Sequence, residues 1–149
     1  MDTTIRLPED FKEFLKLLGA FEVDYLLVGG YAVGYYGYPR PTGGIDIWIS
    51  RSRENAEKVV SALNEFGFVS PDLSVELFTL DKSIVRLGVP PFKLEIITHI
   101  DGVEFDECFE RKNPVDIDGC TVNLISLADL KINKRASGRA KDINDLENL

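Results

Sequence analysis

The stretch YLLVGGYAVGYYGYPRPTGGIDIWIS, Tyr25 to Ser50, leaves the chain few ways to fold. Tyr25–Val28 is an unbroken apolar run suited to a buried strand, and Ile45–Ile49 alternates in the manner of a second strand. Ile45, Ile47 and Ile49 are expected to enter a core, with Gly44, Asp46 and Trp48 on the opposite face. Between the strands lie the pair Gly29-Gly30, a short aromatic-rich helix, and a turn from Tyr38 to Gly43 constrained by two prolines. Paired glycines let backbone N–H groups approach a phosphate, because no Cβ stands in the way. An acid on a polar strand face, beside a glycine turn that opens a helix, is an arrangement suited to metal-assisted phosphoryl transfer.

The rest of the chain predicts helices and strands in alternation. Pro8, Glu9 and Asp10 suit a first helical turn after a short leader, Met1–Arg6, and Phe11, Phe14, Leu15 and Leu18 repeat at helical spacing before Gly19. Ser52 is expected to cap a helix over Arg53–Phe66, with Ala56, Val59, Val60 and Leu63 facing inward and Gly67 ending it. Strands are expected at Leu77–Leu80, Ile84–Leu87 and Phe92–Thr98. Further β structure is expected at Val103–Phe109 and Val115–Leu124, turning at Asp118-Gly119. Ser126 to Asp129 has the form of a capping box that opens a C-terminal helix. The fold class is therefore α/β (α+β): one domain over residues 1–149, with a mixed twisted sheet flanked by helices.

Individual residues carry two readings each. Glu95 sits mid-strand among apolar neighbours, where burial without a partner is costly; an ion pair or a metal ion would satisfy it. Arg40 is a phosphate contact by the shape of its fork, or a surface arginine. Tyr35 and Tyr36 read as packing area before base-stacking platforms, and Glu104, Asp106 and Glu107 read as exposed. A net charge of −8 argues against a whole-surface grip on nucleic acid. Basic residues do gather toward the C-terminus (Lys131, Lys134, Arg135, Arg139, Lys141), as a solvated helix face or a local anion patch. Cys108, Cys120 and the single His99 give no zinc spacing and no expected disulfide, which points to a reducing cytoplasm. No apolar run approaches membrane-spanning length, and no membrane partner is expected.

Gly29-Gly30, Arg40-Pro41-Thr42, Gly44-Ile45-Asp46, Lys93-Leu94-Glu95, Lys134 and Lys141-Asp142-x-x-Asp145 resemble, in order and type, the motifs of the nucleotidyltransferase superfamily with the polymerase β-like palm fold. The nearest branch by this resemblance holds AbiEii-type toxins and small lincosamide-transferase-like proteins. From about Phe21 to the C-terminus, the resemblance implies a palm-like sheet and Mg²⁺-dependent transfer of an NMP from an NTP, such as ATP, to an RNA (tRNA) or small hydroxylated acceptor. It also implies a toxin-type role with a cognate antitoxin-type partner. It assigns metal binding and catalysis to Asp46 and Glu95. Nucleotide binding falls to Gly29, Gly30, Arg40, Thr42, Lys93, Lys134 and Asp142, with Asp145 in support.

The same resemblance expects an acid where Gly44 stands. Two acids at i and i+2 on one strand, with a third from a neighbour, hold two Mg²⁺ ions about 3.5–4 Å apart. Here Asp46 and Glu95 remain and Gly44 supplies nothing. The acid has been removed by substitution, the chain is a degenerate member, or water and another acid take its place. The alternative function is a non-catalytic nucleotide- or partner-binding module. A dinucleotide-binding fold fits poorly, since Gly29-Gly30 lacks the G-x-G-x-x-G spacing.

Overall fold

The computed structural model describes residues 5–149, so most of the expected leader, Met1–Thr4, lies outside the described residues. The elements are α1 (Glu9–Ala20), β1 (Tyr25–Val28), α2 (Gly29–Tyr35), β2 (Gly44–Ile49), α3 (Arg53–Phe66), β3 (Ile84–Leu87), β4 (Lys93–Ile97), α4 (Phe105–Glu110), β5 (Asn113–Ile117), β6 (Cys120–Leu124), α5 (Leu127–Ser137) and α6 (Ala140–Glu147). The strands form one mixed sheet in the order β3-β4-β2-β1-β6-β5. β2 lies between antiparallel β1 and parallel β4.

Register sorts the side chains into two faces. Tyr25, Leu27, Ile45, Ile47, Ile49, Leu94 and Ile96 share the first, and all are buried. The apolar stripes of α1 and α3 cover it, with Phe14 meeting Phe66 edge to face and both lying beside Leu94. α3 starts where Ser52 Oγ accepts from the Asn55 N–H and stops at left-handed Gly67. The second face carries Leu26, Val28, Asp46, Trp48, Glu95 and Ile97. It is closed at one end, where Trp48 packs edge to face on Phe105 of α4, and open around Asp46 and Glu95.

Some expectations change. Trp48 does lie on the face of Asp46, but that face is not polar throughout: Trp48 is buried there, because α4 covers it. Leu77–Leu80 is not a strand; Val75–Thr79 forms a 3₁₀ turn that buries Phe78, and Thr79 Oγ1 donates to the Glu76 carbonyl at 2.8 Å. Local bonds of this kind compete with strand pairing. Val103–Phe109 is not β structure either: Phe105, Cys108 and Phe109 stand at helical spacing and form the inner face of α4. Phe92 lies outside β4, its N–H turned back to the Val89 carbonyl and its ring exposed. Val115–Leu124 is two strands hinged at Asp118 and Gly119, both at positive φ as a tight hairpin requires. Among the described residues, no helix is long and apolar enough to cross a membrane.

Gly44 pairs with Lys93 in the parallel ladder, and a Cβ placed on it would overlap the Lys93 carbonyl oxygen. Gly44→Ala should therefore lower stability by about 1–3 kcal/mol, read from the urea midpoint. Gly19→Ala, with nothing within 4 Å of the added Cβ, should leave stability unchanged or raise it. Equal midpoints for the two variants would refute the close approach of β2 to β4.

Candidate active site

One row of the second sheet face runs Arg86, Glu95, Asp46, Val28 across four strands. Parallel pairing of β2 and β4 places Asp46 directly beside Glu95. The chain leaves β1 at Gly29, whose φ is +71° and whose missing Cβ would overlap Asp46 Oδ2. At Gly30 a Cβ would lie 3.0 Å from Thr42 Oγ1 and 3.4 Å from Arg40 Nη1. Both glycines are thus needed for close approach: the first to the acid, the second to the 38–43 turn. Thr42 Oγ1 donates to the Gly44 carbonyl at 2.8 Å, which folds that turn back onto β2.

The two acids differ in their surroundings. Glu95 Oε1 accepts from Lys93 Nζ at 2.9 Å and Arg86 Nε at 3.2 Å. No donor among the described residues reaches the Asp46 carboxyl except through the pair itself. Burial, then the neighbouring Glu95 charge, pushes Asp46 up to about 7. Burial also pushes Glu95 upward, but Lys93, a bond from Asp46, and Arg86 outweigh it and hold Glu95 below the usual range. Below about pH 7 the pair therefore carries one proton, on the Asp46 side, where no cation among the described residues is hydrogen-bonded.

A second cluster ties the C-terminal helices to the 38–43 turn. Lys134 is buried in α5, with Nζ 3.2 Å from Asp142 Oδ1 and 3.0 Å from Asp145 Oδ2. Arg139 clamps Asp142 through Nε at 2.6 Å and Nη2 at 3.2 Å. Arg40 clamps Asp145 through Nε at 2.7 Å and Nη2 at 2.6 Å. Burial raises both aspartates, yet the cations prevail and both lie below the ordinary carboxylate range. The Arg40 fork, expected on phosphate, is engaged by Asp145. Asp142 faces Arg139 and Lys134.

These groups border a cleft of about 790 Å³. Gly29, Gly30, Arg40, Thr42, Asp46, Lys93, Glu95 and Lys134 all line it, so eight sequence-predicted residues meet in one place; Gly44 and Asp142 are not among the lining residues. Arg40, Arg86, Lys93, Lys134, Arg139 and Lys141 line it against Asp46, Glu95 and Asp101, giving a cationic cleft on an acidic chain. Such a concavity concentrates anions. Arg86 escaped sequence reading because only the β3–β4 register places it beside Glu95. His99 and Asp101, also at the rim, carry no pattern of their own.

The donor set fits one hard cation and not two. Asp46 and Glu95 offer adjacent carboxylates, and Mg²⁺ is commonly held by one or two carboxylates with phosphate oxygens and water. No third acid joins them: among the described residues no group of three His, Cys, Asp or Glu side chains could hold an ion. The backbone at Gly44 leaves no room for a side chain.

No protein-family model matches this chain, and no curated protein does. Its structure is similar to the crystal structure of "a putative nucleotidyltransferase (TM1012)" from Thermotoga maritima, with a TM-score of 0.62 and 19% identity over 93% of this chain and 89% of that one. The chain thus shares the fold of that protein, a six-stranded mixed sheet flanked by helices.

Between 3.8 and about 7, native Asp46 keeps a proton that the unfolded chain releases, so this group lowers stability as pH rises through that window. Asp46→Asn removes the loss. The variant should gain on the order of 1–2 kcal/mol over the parent at pH 8, after discount for partial exposure, and nothing at pH 4. Denaturant midpoints at both values test this, and a pH-independent difference would reject the raised Asp46. Lys134→Met should cost about 3 kcal/mol, since it leaves two buried acids short of a cation. A loss under about 1 kcal/mol would show that Arg40 and Arg139 suffice.

Proposed function

We propose that the chain binds a Mg²⁺–nucleoside triphosphate in the cationic cleft and transfers its nucleotidyl group to a hydroxyl of an RNA or small-molecule acceptor. The observation carrying this reading is the side-by-side placement of Asp46 and Glu95 in the β2–β4 register, beside Gly29 and Gly30. Asp46 and Glu95 would hold the Mg²⁺ that arrives with the triphosphate, where the ion supplies charge neutralisation at the phosphoryl oxygens. Lys141, with Lys93 and Arg86 across the floor, attracts and orients the phosphates, and Arg139, clamped on Asp142, adds positive charge to the same cleft. The Arg40–Asp145 clamp holds the 38–43 turn in place against Gly30. In the transfer, the acceptor oxygen forms a bond to the α-phosphorus and the bond from that phosphorus to the bridging oxygen breaks. Pyrophosphate leaves, and the hydroxyl proton passes to the carboxylate pair.

Gly44 favours a second reading, a nucleotide-binding module without transfer. A two-ion site lacks its third acid, and losing several kcal/mol of transition-state stabilisation slows chemistry by orders of magnitude. Gly44→Asp is not a simple repair, because the added Cβ itself overlaps the Lys93 carbonyl.

Titration with a fluorescent ATP analogue, with and without Mg²⁺, and label transfer from α-labelled NTPs to tRNA and to small polyols separate the readings. Mg²⁺-dependent binding weakened at least about tenfold by Asp46→Asn, about 1.4 kcal/mol, is expected. Label in an acceptor together with released pyrophosphate supports transfer, and binding without label supports the module. Absence of nucleotide binding rejects both.

A further inference from the structure

Along β4 the residues of the second sheet face run Lys93, Glu95, Ile97, and His99 follows just past the strand; all four line the cationic cleft. The strand thus presents a cation, a carboxylate, an apolar side chain and a polar ring in turn, at roughly 6–7 Å per step. A nucleoside triphosphate changes character in the same order, from phosphates and their cation to sugar and base. The proposed chemistry uses only the first two steps, which leaves Ile97 and the residues beyond it without a part.

The third step is a shelf. Ile84 pairs with Ile97 one row beyond the pairing of Arg86 with Glu95, and both isoleucines line the cleft. Ile84 is 52% exposed, so the shelf has apolar surface left to cover. Beyond it stands Asp101, the one acid of the cleft besides Asp46 and Glu95. Its Oδ1 lies 3.3 Å from His99 Nε2, and its Oδ2 accepts no hydrogen bond among the described residues. The turn that carries it is fixed to α5. Asn133 Nδ2 donates to the Asp101 carbonyl at 3.0 Å, and a Cβ on Gly102, whose φ is +85°, would stand 2.6 Å from that of Ala136. A half-exposed carboxylate is thus held on a rigid backbone at the end of an apolar shelf.

We infer that the cleft selects a guanine nucleotide, with the base laid on the Ile84–Ile97 shelf and its N1–H and 2-amino group donating to the Asp101 carboxylate; this rests on the proposed nucleotide binding. Bases held outside a duplex are recognised in this way, by contact with apolar side chains on the ring face and hydrogen bonds on the pairing edge. A carboxylate offers acceptors only, and guanine alone among the common bases sets two donors side by side on one edge. Adenine turns its ring N1 acceptor toward the same oxygens, and uracil flanks its single N–H with carbonyls. The negative charge of Asp101 also disfavours the reversed orientation, with phosphates at the far end of the cleft.

The probes are GTP, ITP, ATP and inorganic tripolyphosphate, each titrated with Mg²⁺ in a calorimeter. GTP should bind at least about tenfold more tightly than ATP, with ITP, which lacks the 2-amino group, between them. Asp101→Asn should bring GTP to within about threefold of ATP, and tripolyphosphate, which has no base, should bind no more weakly than before. Ile84→Ser, at an exposed position, should weaken GTP and ATP alike by about threefold or more, again with tripolyphosphate unaffected. Equal affinities of the parent chain for GTP and ATP overturn the inference. So does a loss in Asp101→Asn shared equally by GTP and ATP, which puts the carboxylate on the ribose. Weaker tripolyphosphate binding in either variant traces the effect to the cleft as a whole and overturns it too. Binding of no nucleotide rejects the proposed function itself, whereas binding without base preference rejects only the guanine site.

Discussion

The parallel pairing of β2 with β4 sets everything else at this site. Side chains alternate with period two, so one residue of slip would send Asp46 to the opposite face from Glu95 and put an isoleucine in its place. The register is held from the other side of the sheet, where Ile45, Ile47, Leu94 and Ile96 are almost wholly excluded from water under α1 and α3. Apolar burial on one face thus stabilises an unfavourable meeting of acids on the other. Roughly 1.5–3 kcal/mol per buried aliphatic side chain is ample to offset the cost of bringing two carboxylates together. The glycines follow from the same packing: Gly29 clears Asp46, and Gly44 clears the β4 backbone.

The buried ions of α5 and α6 play a different part. Lys134, Arg139 and Arg40 neutralise Asp142 and Asp145, and the cluster has more cations than acids. Such clusters add little net stability over an apolar core, because desolvation consumes most of the attraction. What this one accomplishes is positional. It fastens the 38–43 turn, through Arg40, to helices far along the chain, and it leaves Lys141 next to Asp142 with no acid of its own among the described residues. On the proposed reading Lys141 would therefore be a better phosphate contact than Arg40, whose Nε and Nη2 are taken by Asp145.

Much of this was legible in the residues. The β1–α2–β2 segment, the caps at Ser52 and Ser126, and the glycine stop at Gly67 rest on local chemistry, and the chain forms them where local rules place them. Bringing Asp46 to Glu95 required more than periodicity. Alternation says which face each acid occupies in its own strand, but the pairing partner came from motif order, and the structure supplies the register. Where reading failed, the signal was ambiguous at short range. Phe105, Cys108 and Phe109 fit a helix or a buried strand until the length of the segment is known, and Val75–Thr79 is too short for periodicity to decide. Alternation places Trp48 on the face of Asp46 but cannot reveal that α4 covers that end of it. Arg86, the remaining cation on Glu95, is visible only across strands.

The number of acids and the charge around them bear differently on the chemistry. Three carboxylates would suit a site that must assemble two bare ions from solution. Two carboxylates, one already neutralised by Lys93 and Arg86, suit a single ion that arrives with phosphate oxygens attached. Fixed cations around the cleft can then carry part of the charge stabilisation that a second ion would provide, with less strength but no requirement for a third acid. Gly44 therefore does not by itself decide between catalysis and binding. On the proposed function, what would decide is whether Lys141, at the rim, reaches the developing charge on a leaving pyrophosphate or only a ground-state triphosphate, because interactions that do not strengthen in the transition state produce affinity without rate.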